Sequence, residues 1–278
     1  MKKISLFTGI LIAIAFPFAS SAQVTIAPTN LFIDGNARFG TYMVINGSNE
    51  TQEISIDFIF NYSQNDDTGE RLVVEDNEEV EEQYSIAEYV RAFPRNFTIA
   101  PGQRQVVRLR LSPPNDLEDG MYWARIKTAS SPETPPLELQ ANDAVSARVA
   151  ITVEQVTGLF FKKGDLSTGI EVLDIESTQS DDNQTLTVLT SYLRTGNSPF
   201  LGSITASLVN ASGQVVKNDF VSTSLYFDGA LKHEFDISDL PAGTYTVRVM
   251  FESQRADIAA GDLVQMQPIS QTSTFTKR

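Results

Sequence analysis

Apolar and polar residues alternate with a period of two along most of the chain, as in residues 54–60 and 106–111. Successive side chains of a β-strand point to opposite faces of a sheet, so each run predicts a half-buried strand. Turn signals such as Asn46-Gly47 and Pro101-Gly102 separate the runs. The pattern predicts an all-β chain built from antiparallel β-sandwiches. Further predicted strands cover residues 24–26, 31–33, 41–45, 122–127, 145–153, 186–193, 204–208, 231–237 and 244–251.

The predicted strands fall into two groups, and 278 residues exceed the usual single domain. The first group runs from residue 24 to about 156, and the second begins near residue 171. A stretch rich in lysine and small residues, 162–169, separates the groups. We therefore predict one sandwich domain at 23–164 and a second at 165–278.

The first 22 residues have the pattern of a signal peptide. Lys2-Lys3 precede an apolar run at 4–18, which ends at Ser20-Ser21-Ala22. The alternative is an N-terminal membrane anchor, but a spanning helix needs roughly 20 apolar residues. We predict cleavage after Ala22 and a mature chain that is periplasmic or on the cell surface, without membrane insertion.

Composition excludes several classes of protein. There are 21 Lys+Arg, 35 Asp+Glu, one His and no Cys, giving a net charge of −14. Phosphate contacts favour basic surfaces, so no nucleic-acid partner is expected. The lack of Cys and the single His exclude structural zinc and thiol chemistry. We predict no metal and no cofactor.

No residue is predicted to be catalytic, so we expect a protein that is not an enzyme. His233 lies in an alternating run, which favours a half-exposed strand histidine over a Ser-His-Asp triad. Acidic pairs of the kind that hydrolyse glycosides are plentiful, which makes them weak signals. Residues 65–70 superficially resemble a calcium loop but lack its alternating ligand spacing, which favours a plain turn.

Two insertions interrupt the first group of strands. Residues 61–82 include six acids within 75–82 and predict a solvated, mobile loop, with an acidic docking surface as the alternative. Residues 130–136 contain three prolines and predict an exposed loop.

One alternating run, 145–153, bears on binding. Five of its side chains share one face and are candidate partner-binding residues: Val145, Ala147, Val149, Ile151 and Val153. If the face is covered by its own sheet, the run is a core strand. If the strand lies at a sheet edge, a partner can add a strand to it. Periodicity leaves both interpretations open.

Several motifs resemble the PapD-like family of periplasmic pilus-assembly chaperones. The Pro, apolar, Pro-Gly and Val-Arg-Leu series at 92–109, the segment 113–123, Val24-Thr25-Ile26 and Leu159-Phe160-Phe161-Lys162 carry this resemblance in the first domain. The segments 193–197 and 224–226 carry it more loosely in the second. The resemblance implies two immunoglobulin-like sandwiches.

The resemblance also implies donor-strand complementation, in which a chaperone strand fills the groove of an incomplete pilin. An ungapped alignment brings the donor positions onto Val149, Ile151 and Val153. It further implies a cis peptide at Pro94.

This chain departs from the family at the interdomain cleft. Two basic residues there anchor a subunit's C-terminal carboxylate in the family, and the corresponding positions hold Asn30 and Gly158. Lys162 and Lys163 are nearby candidates for the cations, with solvated linker lysines as the alternative.

The resulting hypothesis is a chaperone that caps pilin-like or other β-rich envelope subunits, with an outer-membrane usher as a further candidate partner. The alternative is a non-catalytic surface or periplasmic scaffold that binds another envelope component.

Overall fold

A computed structural model describes residues 24–133 and 151–278. The described residues form eighteen strands, the helix α1 (Glu78–Tyr84) and a short 3₁₀ turn at Ala87–Tyr89. The strands up to residue 163 are β1 (Val24–Ala27), β2 (Asn30–Asp34), β3 (Phe39–Asn46), β4 (Gln52–Ile59), β5 (Tyr62–Asn65), β6 (Arg71–Val74), β7 (Val90–Phe93), β8 (Asn96–Ile99), β9 (Arg104–Leu111), β10 (Gly120–Pro132) and β11 (Val153–Lys163). The remaining strands are β12 (Thr168–Gln179), β13 (Thr185–Gly196), β14 (Phe200–Val209), β15 (Val215–Leu225), β16 (Gly229–Asp236), β17 (Gly243–Glu252) and β18 (Ile269–Lys277).

Two sheets pack face to face to form the first sandwich. One sheet has the strand order β1-β3-β9-β7, and the other has the order β2-β11-β10-β4-β8. The chain passes from one sheet to the other between β1 and β2, so that β2 pairs with β11 in parallel while the other pairs are antiparallel. The Phe93–Pro94 peptide bond is cis, as the resemblance implied.

The second sandwich has the sheets β12-β13-β16 and β15-β14-β17-β18. Alternating residues of both sheets, such as Leu186, Val188, Val247 and Val249, form its buried core. The chain thus folds as two immunoglobulin-like β-sandwiches, which confirms the predicted fold class. The first sandwich's last strand continues to Lys163, seven residues beyond the predicted end of the first group of strands. The domain boundary at 164/165 remains a prediction.

The insertion at 61–82 is not the loop that its composition predicted. It folds as the β5–β6 hairpin followed by α1, whose N-terminus is capped by Asn77. The loop prediction fails because it was based on composition, which the acids dominate. The few apolar residues that pack this segment against the rest of the chain, Val74, Val80 and Tyr84, contribute little to such a count. The six acids of residues 75–82 are exposed, as expected for a solvated surface.

A third apolar cluster joins the two sandwiches. Trp123 on β10 is 1% exposed, and its ring centre lies 4.8 Å from that of Tyr84 and 4.7 Å from that of Tyr226. Tyr84 belongs to α1, whereas Tyr226 follows β15 in the second sandwich. The other buried members of this shared core are Phe60, Tyr62, Met121, Phe160, Leu201, Ile258 and Leu263.

Strands β10 and β11 are buried on both faces where they meet the shared core. Tyr122 and Ala124 face the core of the first sandwich, and Met121 and Trp123 face the shared core. Asn197 adds polar contacts, because its backbone carbonyl accepts from the Met121 N–H at 3.0 Å and its side chain donates to the Asp119 and Asp165 carbonyls. Within the described residues, no helix has the length and hydrophobicity needed to span a membrane.

The shared core predicts a large stability cost for its central residue. Trp123→Ala should lower the free energy of unfolding by about 3–5 kcal/mol, because a large buried ring is removed from a packed site. Denaturant unfolding followed by circular dichroism measures the loss. Phe220→Ala is the matched control, since Phe220 is 60% exposed. Equal stability of the two variants would contradict the assigned role of Trp123.

Candidate functional site: a strand edge leading into a cleft

Strand β11 is paired along its full length on one side only. Its residues Val153 to Lys163 all pair with β10, whereas β2 covers only Gly158 to Lys162 on the other side. The Gly158 N–H donates to the Thr29 carbonyl on the β2 side at 2.9 Å. Because backbone groups two residues apart in a strand point to the same edge, Val156 and Glu154 turn theirs to this side as well. Among the described residues, no strand pairs with this part of the edge.

The predicted donor residues fall partly on this edge. Val145, Ala147 and Val149 lie outside the described residues. Ile151 precedes β11 and is 65% exposed, and Val153 is its first residue and half-buried. Further along the same face, Leu159 and Phe161 are buried in the core of the first sandwich. The same face of β11 is therefore buried in the core at Leu159 and Phe161 and partly exposed at the beginning of the strand, near Val153.

The two family cleft positions lie side by side. Asn30 on β2 is the register partner of Gly158 on β11, and Gly158 is in turn the partner of Arg125 on β10. A side chain at position 158 would meet the Asn30 amide, because a Cβ atom there would lie 2.6 Å from Asn30 Oδ1. A cation is thus present in this row, one strand away from the positions that the resemblance indicated.

Arg125 is held at the junction of the two sandwiches. Its Nε donates to Asn61 Oδ1 and its Nη2 to the Tyr226 hydroxyl, both at 2.9 Å. The guanidinium carbon also lies 5.5 Å from the centre of the Tyr226 ring. Among the described residues, no carboxylate forms an ion pair with Arg125.

Two further arginines converge on the same region. Arg71 on β6 donates to Thr223 Oγ1 at 3.2 Å and Arg255 donates to the Thr223 carbonyl at 3.3 Å. Loss of hydration lowers the pKa of the Arg71 guanidinium, and the positive charges of Arg255 and Arg125 lower it further. We call Arg71, Arg125 and Arg255 the arginine cluster.

One carboxylate balances part of this charge. Asp257 accepts two hydrogen bonds from Arg255, at 2.9 and 2.6 Å, and these hold the pKa of its carboxyl below the usual range. Asp257 also accepts from the Asn30 amide at 3.1 Å, which links the second sandwich to β2. Among the described residues, the cluster therefore has two guanidinium groups more than its paired carboxylate neutralises. Such a cluster suits an added carboxylate or another small anion.

Lys162 and Lys163 lie away from this cluster. They line a separate cavity of about 720 Å³ together with Asp34, Asp119 and Asp165. Burial lowers the pKa of Lys162, while Asp262 and Asp34 oppose that shift. The surrounding carboxylates make these lysines poorer anion sites than the arginine cluster.

The other candidates from the sequence do not form a site. His233 is buried rather than half-exposed, because it points into the second sandwich, where Nδ1 lies 2.8 Å from Asp219 Oδ2. Residues 65–70 form the tight turn of the β5–β6 hairpin, in which the Asp66 carboxylate accepts from the N–H groups of Thr68 and Glu70. Over residues 24–133 and 151–278, no group of acidic and histidine side chains is arranged to bind a metal ion.

No pattern in the sequence indicated the arginine cluster. Its members come from three segments far apart in the chain, so no spacing rule connects them. A local signal did exist for the junction of the sandwiches, because alternation breaks down at residues 121–124 and 159–161, where neighbouring residues are all apolar. Such runs indicate strands that are covered on both faces.

A family model described as a secretion system C-terminal sorting domain matches residues 183–257, well under half of the chain. This segment contains β13 to β17 but neither β12 nor β18, which flank it in the same two sheets. The match indicates an exported protein. No curated protein matches the chain.

The chain is similar over about 90% of its length to solved structures of pilus chaperones, the class that the sequence motifs resemble. For the YadV chaperone, the TM-score is 0.47 at 12% identity, with 91% of this chain and 100% of the other covered. For the CsuC–CsuE chaperone–tip adhesion subunit complex from Acinetobacter baumannii, the TM-score is 0.44 at 12% identity, with 90% of this chain and 98% of the other covered. For the E. coli chaperone DraB, the TM-score is 0.39 at 14% identity, with 91% of this chain and 96% of the other covered.

The contact between Gly158 and Asn30 predicts a coupled pair of substitutions. Gly158→Ala should destabilise the chain by about 1–3 kcal/mol, because the added methyl group overpacks a filled site. In an Asn30→Ala background the cost should be smaller, since the nearest obstructing atom is gone. Urea unfolding of the four chains measures the coupling. Gly261→Ala is the control, because its Cβ would meet nothing within 4 Å. Purely additive effects would contradict the contact.

Proposed function

We propose that the chain is a periplasmic chaperone, not an enzyme, that caps pilin-like or other β-rich envelope subunits by lending them the free edge of β11. The observation that carries this proposal is that, among the described residues, an unpaired strand edge is continuous with an arginine cluster at the junction of the two sandwiches. An incomplete sandwich exposes backbone groups and an apolar groove, and an added strand satisfies both. An outer-membrane usher remains a candidate further partner.

The edge supplies the register of the bound subunit. A client strand pairs with the backbone groups of Glu154 and Val156, while Ile151 and Val153 reach into its groove. The positions Val145, Ala147 and Val149 would extend the contact. Each buried aliphatic side chain contributes roughly 1.5–3 kcal/mol before the cost of ordering.

The arginine cluster supplies an end point for that strand. Arg125 lies in the same row as Gly158, where the unpaired edge of β11 gives way to β2. A client carboxylate at this point would accept charge-assisted hydrogen bonds from Arg125 and Arg71. In this proposal, Arg125 takes the anchoring role that Asn30, Lys162 and Lys163 do not fill.

The second candidate is a secreted or surface scaffold, and the sorting-domain match favours it. The shared core weighs against an independent tail, because Leu201 and Tyr226 of the matched segment are buried against the first sandwich. A tail that acts alone would have no need for that apolar surface. The location of the mature chain, in the periplasm or beyond it, separates the two candidates.

The strand-edge step can be tested with a proline. Val156→Pro removes an N–H that no described strand uses, and proline is tolerated at strand edges. We expect capture of a co-expressed pilin-like subunit to fall at least about tenfold, or about 1.4 kcal/mol. Co-expression and purification of a one-to-one complex from the periplasm measure this. Val156→Ala keeps the N–H and should retain capture.

Unchanged capture by the folded Val156→Pro chain would overturn the strand-edge step. If the Val156→Pro chain melts well below wild type, a double variant with Ile151→Asp and Val153→Asp replaces it in the capture experiment and should lose capture. Val215→Asp, at an exposed position in the second sandwich, is its control and should retain capture. A mature chain found outside the cell without a bound subunit would support the scaffold and contradict the chaperone.

The anchoring step predicts a preference for a free carboxylate. A peptide copying the C-terminus of a captured subunit should bind at least about tenfold more tightly as the acid than as the amide, because charge-assisted hydrogen bonds are lost in the amide. Arg125→Gln should abolish that difference, and Arg125→Lys should keep part of it. Isothermal titration calorimetry measures the affinity of each chain for the acid and for the amide peptide. Lys163→Gln is the control, and an acid preference that survives Arg125→Gln would contradict the assignment.

A further inference from the structure

The outward face of the sheet β1-β3-β9-β7 is basic, although the chain is acidic overall. Its four strands contain four arginines and no Asp or Glu, whereas the whole chain has 35 acids and 21 basic residues. Because Val107, Leu109, Val90 and Ala92 are buried, their strand neighbours face outward. We call this surface the basic face. Its arginines are Arg91, Arg104, Arg108 and Arg110.

The basic face also exposes large apolar side chains. Phe39 is 67% exposed and Phe93 is 59% exposed. Phe39 is the register partner of Arg110, and Phe93 is the partner of Arg108. In the described part of the chain, none of the four arginines forms an ion pair with a carboxylate. Unpaired guanidinium groups beside exposed rings are typical of an interaction surface.

A complementary surface lies on the same chain. Residues 72–82 expose six carboxylates from β6 to α1, and none of them forms an ion pair among the described residues. Leu72 and Val73, at the start of this segment, are 55% and 66% exposed. We call residues 72–82 the acidic segment. It combines negative charge with apolar side chains, as the basic face combines positive charge with apolar side chains.

The two surfaces of one molecule cannot meet. Tyr84 at the end of α1 stacks on Trp123, which points outward from the sheet containing β10. The basic face is the outer side of the other sheet of the same sandwich. The whole sandwich, with its two sheets about 10 Å apart, therefore separates the two surfaces. Contact between them requires two molecules.

We infer that the basic face binds the acidic segment of a second copy of this chain. The contact is heterologous, because each copy uses one surface and leaves the other free, so it generates a head-to-tail row rather than a closed dimer. The row uses neither the β11 edge nor the arginine cluster, so this inference stands or falls independently of the proposed function.

Sedimentation velocity of the mature chain tests the inference. We expect concentration-dependent association at about 0.05 M salt that is lost at about 0.5 M, because screening shortens the range of charge–charge attraction. Arg108→Glu with Arg110→Glu should give a monomer, and so should Glu79→Lys with Glu82→Lys. A mixture of these two variants should associate again, since the unchanged basic face of one variant meets the unchanged acidic segment of the other, and their two reversed surfaces are complementary as well.

Matched charge changes on the second sandwich provide the controls. Arg248→Glu and Glu171→Lys alter exposed residues outside both surfaces and should leave association unchanged. A wild-type chain that stays monomeric at low salt overturns the inference, as does association that survives the Arg108 and Arg110 changes. Binding of the monomer to vesicles of phosphatidylcholine and phosphatidylserine through the basic face would assign that surface to lipid and overturn it as well.

Discussion

The arrangement of the two sandwiches depends on the apolar packing around Trp123. Its ring stacks on Phe60 and on Tyr84 of α1 and lies against Tyr226 of the second sandwich, so it closes a junction that neither sandwich could close alone. Burial of several aromatic rings is worth far more than the exposed ion pairs nearby, each of which contributes at most about 1 kcal/mol. Apolar burial therefore stabilises the junction, and the polar contacts of Arg125 and Asn197 fix the orientation of the two sandwiches at it. The geometry of the junction, including the position of Arg125, follows from that packing.

Strand β11 passes through three environments: the core of the first sandwich, the shared core and, at its beginning, a region outside both cores. One face of it closes the first core at Leu159 and Phe161, and Phe160 on the opposite face enters the shared core. Its beginning, at Val153, lies beyond both cores, and β2 does not reach it. The chain's passage between sheets after β1 is what ends β2's coverage there. An unpaired edge is normally a liability. Among the described residues this edge lies near arginines that no carboxylate neutralises, and the proposed function accounts for both features by a bound partner.

The fold class could be predicted from the sequence because alternation is a local signal, and strands such as β3, β9 and β17 were visible in it. The β5–β6 hairpin and α1 were not, because acids dominate the composition of residues 61–82 and mask a few well-spaced apolar residues. The cleft positions Asn30 and Gly158 came from the resemblance, and their adjacency follows from the parallel register of β2 and β11. The position of Arg125 beside Gly158 could not be predicted, because it depends on which strand pairs with β11 and in which register.

The absence of a side chain at position 158 and the presence of Arg125 one strand away belong to one arrangement. A long cation at 158 would collide with Asn30 and with the Phe160 ring, whose Cε2 atom would lie 2.9 Å from a Cβ there. Asn30 in turn bonds to Asp257, which is paired with Arg255. Restoring a cation at 158 would thus disturb the contact between β2 and the second sandwich. Placing the charge on β10 instead keeps that contact, and it puts the guanidinium group against Tyr226, at the edge of the shared core where both sandwiches hold it.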